Sequence, residues 1–312
     1  MTTFAFVFPG QGSQAVGMLD AWGDNAAVKQ TLAEASDALG EDIVRLIHEG
    51  PKEQLDLTTN TQPAMLTAAI ACYRAWLAAG QAAPSVVAGH SLGEYSALVA
   101  SGVLTLADAL PLVRFRAQAM QDAVPVGVGA MAAILGLDAQ AVRDGCLEVA
   151  AATGEVVEAV NFNDPKQTVI AGSKAGVETA CEVLKEKGAK RALLLSVSAP
   201  FHSSLMKPAA DRLRERLAAM TFSAPKIPVI NNIDVAIQSD AAAIRDALYR
   251  QAFGPVRWVE TVQAIRARGV THLIECGPGR VLARMVQRID AEVVAATLLD
   301  PASLADVKGM LA

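Results

Sequence analysis

The segment Gly89-His90-Ser91-Leu92-Gly93 follows a short apolar run, Ser85-Val86-Val87-Ala88, and opens a stretch of helical pattern. Ser91 therefore stands where a strand turns sharply into a helix. Glycines two residues before and after it remove Cβ atoms from the turn, and the next backbone N–H is left pointing at the carbon a hydroxyl would attack. The chemistry this suits is acyl transfer through a serine nucleophile; the alternative is a tight turn of purely structural purpose. A second glycine-rich turn, Pro9-Gly10-Gln11-Gly12-Ser13-Gln14, follows the strand-like Phe4-Ala5-Phe6-Val7-Phe8. An oxyanion hole needs two converging N–H donors, one after the nucleophile and one from a loop behind another strand, and Leu92 and Gln11 stand in those places. A flexible loop or a phosphate cradle are the other readings of this turn, although the Lys-Ser/Thr pair of a P-loop is absent.

A serine needs a base, and the chain has four histidines: His48, His90, His202 and His272. His48 closes a helical segment of mixed charge, Glu41 to Glu49, where a C-terminal cation is ordinarily stabilising. His90 adjoins the nucleophile, and adjacent side chains on a sharp turn point apart, so a role in holding the turn is expected. His202 lies in Ser198-Ala199-Pro200-Phe201-His202-Ser203-Ser204, ahead of a helix with Leu205, Ala209, Leu213 and Leu217 spaced by four, an entrance from which an imidazole can face a cleft. His272, in the strand-like Thr271-His272-Leu273-Ile274-Glu275-Cys276, is the second choice.

Four segments in order, Phe8 to Gln14, Gly89-His90-Ser91-Leu92-Gly93-Glu94-Tyr95, Ala199-Pro200-Phe201-His202-Ser203 and Glu275-Cys276-Gly277-Pro278-Gly279, together resemble the malonyl-CoA:acyl carrier protein transacylases of bacterial fatty-acid synthesis. The resemblance extends over essentially the whole chain. It implies that Ser91 accepts the acyl group, that His202 takes its proton, and that Gln11 and Leu92 supply the oxyanion donors. It also implies a dyad without a carboxylate: the main-chain carbonyl of Gln251, in Arg250-Gln251-Ala252-Phe253-Gly254-Pro255, orients His202. A dyad suffices for a thioester, which is already activated and leaves as a thiolate.

Malonyl carries a free carboxylate, which a planar guanidinium matches in two-pronged fashion. The helical pattern from Leu106 to Gln121 has its apolar stripe at Leu106, Leu110, Val113, Ala117 and Met120, with Arg114 and Arg116 on opposite flanks. Periodicity does not choose between them. The resemblance does, placing the carboxylate-binding arginine four residues before Met120-Gln121-Asp122, at Arg116. It further implies that Phe201 limits the pocket to malonyl against methylmalonyl and that Gln62 lies near the pocket; Gln62 otherwise reads as a cap on a helix starting at Pro63.

The elements around these residues read as α/β. An α/β-hydrolase-like parallel-sheet core with helices on both faces is expected over 1–125 and 198–312. Between them, 126–197 shows strand Gly129 to Leu135, helix Asp138 to Val149, strands Val156 to Phe162 and Gln167 to Ala171 around an Asn163-Asp164-Pro165-Lys166 turn, helix Lys174 to Lys187 and strand Arg191 to Val197. That βαββαβ order is ferredoxin-like, and its edge is expected to roof the cleft and exclude water, with Asn161 near the mouth. Ala64 to Ala79 reads as a buried helix ended by Gly80 rather than a membrane span.

The 312 residues are 52% hydrophobic and suit a compact enzyme with one large and one small domain. A net charge of −5 and the absence of basic runs interleaved with aromatics give no reason to expect nucleic acid. The four cysteines show no paired spacing and the N-terminus no basic region before an apolar run. A cytoplasmic monomer without metal or cofactor, not bound to membranes, is expected. For acyl carrier protein or CoA phosphates, Arg280, Arg284 and Arg288 recur at steps of four, and Lys187, Lys190 and Arg191 cluster in the insert; either patch also reads as a solvated basic face. Two rival functions are a serine esterase or thioesterase, with Glu275 or Asp234 completing a triad around His272, and a non-catalytic module that binds the carrier.

Overall fold

The computed structural model describes residues 3–312. Five parallel strands form the main sheet in the order β7-β2-β1-β8-β9: β1 (Phe4–Phe8), β2 (Val86–Gly89), β7 (Val229–Ile230), β8 (His272–Cys276) and β9 (Val294–Leu298). Their side chains alternate between two apolar cores. Phe4, Phe6 and Phe8 face a large core with helices Ala26–Leu39, Thr58–Ala78 and Leu106–Ala123, whereas Ala5 and Val7 face a smaller one with helices Trp258–Ala267 and Val281–Ile289. The sheet is thus covered on both faces, and its carboxyl edge is left to carry the loops after Phe8 and Gly89.

Strands β3 (Gly129–Leu135), β4 (Val157–Asp164), β5 (Gln167–Ser173) and β6 (Arg191–Leu194) make a separate antiparallel sheet, ordered β4-β5-β3-β6. With helices Ala139–Thr153 and Lys174–Glu186 this is the ferredoxin-like order expected from the sequence. Asp138 and Ser173 accept from Ala141 and Gly176 N–H and so cap the two helices. Both helices pack on the face bearing Ala132, Ile134, Val157 and Ile170. The opposite face bears Met131, Ala133, Asn161, Asn163, Gln167 and Val169, and these line the cleft. The expectation that an edge would roof the cleft is therefore corrected: with one face taken by helices, the other face does so. Phe162 N–H to Val256 O at 3.0 Å and Val256 N–H to Val160 O at 2.8 Å fasten β4 to the large unit by backbone.

A second correction concerns Gln62. Its helix begins at Thr58, not Pro63, so Gln62 is an interior residue and not a cap. The turn before the proline is held from outside the helical ladder, by Thr61 Oγ1 to Leu55 O at 2.6 Å and Asn60 Nδ2 to Gln54 O at 2.9 Å. No helix among the described residues is long and apolar enough to cross a membrane.

Candidate active site

Ser91 has φ +52°, the left-handed conformation that a side chain rarely adopts. The turn is so tight that a Cβ on Gly89 would lie 1.9 Å from the Gly93 carbonyl carbon, and one on Gly93 would lie 2.0 Å from Phe8 O. Only glycine at both places lets β2, the turn and β1 meet. Asn232 then clamps the turn from the end of β7: its Oδ1 accepts the Ser91 N–H at 2.7 Å and its Nδ2 donates to Gly89 O at 2.6 Å.

His202 comes from a different part of the chain and also sits at positive φ, +67°. Its Nε2 is 2.6 Å from Ser91 Oγ, and its Nδ1 is 2.9 Å from the main-chain oxygen of Gln251. A carbonyl only accepts, so Nδ1 carries the hydrogen and Nε2 presents its lone pair to the serine hydroxyl. Burial, reinforced by the Arg116 cation, pushes His202 down to about 3, so the imidazole is neutral wherever the protein is folded near neutrality.

Arg116 is 2% exposed on helix Leu106–Ala123, while Arg114 pairs with Glu41 at the surface. The guanidinium donates from Nη1 to Gln62 Oε1 at 2.8 Å and from Nη2 to Gln251 Oε1 and Ser91 Oγ, both at 3.2 Å. No carboxylate forms an ion pair with it among the described residues. A buried cation held only by neutral groups is a ready receptor for an anion. Gln11 and Leu92 line the same cleft, of about 360 Å³, and neither main-chain N–H has a partner among the described residues. Phe201 and Met120 form part of its apolar wall.

The remaining histidines lie elsewhere or act indirectly. His48 pairs with Asp20. His90 Nε2 meets Asn163 Oδ1 at 2.8 Å, joining the turn to the small sheet. His272 opens β8 at the amino edge of the sheet, where Nδ1 is 2.9 Å from Thr271 Oγ1. Ser91 belongs to the carboxyl edge, so a triad around His272 does not assemble. Its proposed acids have other tasks: Glu275 accepts from Val281 and Ala283 N–H at the start of helix Val281–Ile289, and Asp234 pairs with Arg250.

Among the docking residues, Arg280, Arg284 and Arg288 are all exposed, as are Lys190 and Arg191 at the start of β6. Arg288 is not free, however. Its Nε donates to the buried Asp164 at 2.6 Å, so this exposed arginine also ties helix Val281–Ile289 to β4. Lys187 likewise pairs with Glu148. The sequence reading missed Asn232 and Glu94; a pair of asparagines ending the apolar run Pro228-Val229-Ile230 was the available signal for the first.

A strained serine before a helix, a neutral imidazole on its hydroxyl, unpaired N–H groups beside it and an α/β frame define the class as serine acyltransferases of α/β-hydrolase-like fold. The chain belongs to the acyl transferase domain family, whose model matches residues 5–303. It is 54% identical over 305 residues to the malonyl CoA-acyl carrier protein transacylase of Salmonella typhimurium, covering 97% of this chain and 98% of that one. The solved acyl-carrier-protein S-malonyltransferase of Burkholderia pseudomallei superposes with a TM-score of 0.96 at 69% identity, covering 98% and 99% of the two chains. A malonyl-transacylase solved in complex with a type II PKS acyl-carrier protein matches with a TM-score of 0.95 at 52% identity, covering 97% and 98%.

Proposed function

We infer that this chain moves the malonyl group of malonyl-CoA to the phosphopantetheine thiol of acyl carrier protein, supplying fatty-acid chain elongation. The observation that carries this reading is the 3.2 Å contact between a buried, ion-unpaired Arg116 and the same Ser91 hydroxyl that meets His202 at 2.6 Å. A carboxylate seated on that cation has its acyl carbon within reach of the nucleophile. Malonyl satisfies this geometry and acetyl lacks the anion.

In the first half-reaction Ser91 Oγ attacks the thioester carbon while its proton passes to His202 Nε2, and the Gln251 carbonyl keeps Nδ1–H directed away. The tetrahedral oxygen takes its negative charge toward the Gln11 and Leu92 N–H groups. Collapse breaks the carbon–sulfur bond, and His202 returns the proton to the departing CoA thiolate. In the second half-reaction the carrier thiol gives its proton to His202 as its sulfur attacks the malonyl-serine ester; collapse breaks the bond between the acyl carbon and Ser91 Oγ, and that oxygen takes the proton back from His202 Nε2, regenerating Ser91. The thioester is already activated, the oxyester of the intermediate relies on His202 and the two N–H donors, and no cofactor enters the scheme. Gln62 holds Arg116 in line, and Phe201 limits the volume beside the malonyl methylene.

For the carrier we propose the exposed Arg280 and Arg284, with Lys190 and Arg191 as the second patch. We take 126–197 as the small domain and 1–125 with 198–312 as the catalytic one. The free state of all four cysteines supports a reducing, cytoplasmic setting. Mixing the protein with malonyl-CoA and measuring intact mass tests the proposal: one malonyl group on Ser91, discharged by holo carrier protein, is expected. Persistence of unmodified protein, or an adduct on another residue, overturns it.

A further inference from the structure

The reaction scheme leaves one buried carboxylate without a task. Glu94 is 2% exposed and lies in the first turn of helix Gly93–Ala100, three residues after the nucleophile. Burying a carboxylate is costly unless it accepts hydrogen bonds that matter. One oxygen, Oε2, accepts two: the main-chain N–H of Asn232 at 2.8 Å and Nε2 of Gln251 at 3.0 Å.

Both partners grip the strained serine. Asn232 accepts the Ser91 N–H and holds Gly89 O, as described above. Gln251 donates from the same Nε2 to Ser91 O at 3.0 Å, while its Oε1 accepts from Arg116 and its main-chain oxygen accepts from His202. Glu94 thus joins the turn, the end of β7 and the end of helix Ala241–Gln251, the three segments that must stay in register.

Resting on the assignment of Ser91 and Arg116 above, we propose that Glu94 is a positioning residue whose Oε2 fixes the Asn232 main chain and the Gln251 side chain, and through them the Ser91 turn and the Arg116 guanidinium. The requirement is for an acceptor oxygen at that reach, not for a charge. Glutamine keeps the oxygen, alanine removes it, and aspartate keeps the charge but withdraws the oxygen by one methylene. Loss of the acceptor leaves two buried N–H groups unsatisfied and frees Gln251 to turn away from Arg116.

The test is single-turnover acylation of the full chain by malonyl-CoA and by acetyl-CoA, followed by intact mass. Rates are normalised to the fraction of protein finally acylated, so that misfolded molecules drop out. Glu94→Gln is expected within about threefold of the wild type. Glu94→Ala is expected to slow malonyl transfer roughly thirtyfold, with little change in half-saturating concentration. Acetyl transfer should slow less, because only malonyl uses Arg116. If Glu94→Ala does not fold, Glu94→Asp takes its place and must be slower than Glu94→Gln. Wild-type rates in the alanine variant, equal loss for both acyl groups, or glutamine slower than aspartate overturn the proposal. Malonylation of a Ser91→Ala control overturns the nucleophile assignment instead, so the two failures are distinct.

Discussion

Arg116 Nη2 donates to Ser91 Oγ across 3.2 Å, so the cation meant for the substrate's carboxylate already touches the nucleophile. The contact has two opposed effects. A positive charge beside the hydroxyl favours the developing alkoxide, yet the same charge disfavours protonation of His202, which must receive the proton. A malonyl carboxylate on Arg116 offsets the second effect just when the base is needed. Acetyl brings no such anion.

Replacing Arg116 by alanine is therefore expected to lower kcat/KM for malonyl-CoA by about ten- to a hundredfold while acetyl-CoA transfer changes by less than about threefold. Steady-state kinetics with both thioesters and one carrier decide it. Equal losses for the two acyl groups remove Arg116 from substrate recognition.

His202 and His272 separate transferase from hydrolase chemistry. Removing a positioned base should slow Ser91 acylation by ~10²- to 10⁴-fold in His202→Ala. His272→Ala, on the far edge of the sheet, should acylate at the wild-type rate. Quenched-flow mass analysis reads both, and impairment of the His272 variant at equal folded fraction contradicts the dyad.

Glu94 makes stability depend on pH. Burial pushes its carboxyl from 4.5 up to about 7, so between those values the folded protein keeps a proton that the unfolded chain has released. Excess protons on the folded state mean that stability falls as pH rises through this window, by about 3 kcal/mol if the shift is fully expressed. His202, held down to about 3, acts in the opposite sense: its contribution is lost as pH falls below the ordinary histidine range. Comparing the wild type with Glu94→Gln by urea unfolding isolates the carboxylate. The glutamine variant should gain in relative stability from about pH 5 to about pH 8; a gap independent of pH shows that Glu94 does not titrate in that range.

Carrier capture should depend on salt and on the exposed Arg280 and Arg284, which form no ion pair among the described residues. Arg280→Glu with Arg284→Glu is expected to raise the KM for carrier protein by roughly three- to tenfold at low salt, leaving acylation by malonyl-CoA unchanged. Arg288→Glu should instead lower stability, because it strips the buried Asp164 of its partner. An unaltered carrier KM in the double variant directs attention to Lys190 and Arg191.

Local sequence carried a good deal of this. The glycines around Ser91, the alternation of Phe4 to Phe8 and the four-residue steps of the helices are set by sterics and burial within a few residues of each site. The ferredoxin-like order was legible for the same reason. The start of the helix bearing Gln62 was misplaced at Pro63 because proline inside a helix is ordinarily a start signal, and the side-chain ties that let this helix begin at Thr58 run to a preceding segment. The tie from Arg288 to Asp164 was not legible because the two lie 124 positions apart.

What the sequence by itself determined is the kind of chemistry: a hydroxyl at a strained turn, a family resemblance spanning the chain, and an arginine on one of two flanks. The resemblance singled out Arg116 and His202, whereas periodicity and local pattern did not; that Arg116 turns inward, that His202 meets Ser91 and which buried polar groups hold them is visible only in the tertiary structure. Those choices depend on hydrogen bonds between segments more than a hundred residues apart, Ser91 with His202, Asn232 and Gln251 among them. Periodicity reports the face of one element at a time, and no local pattern records what another element brings to it.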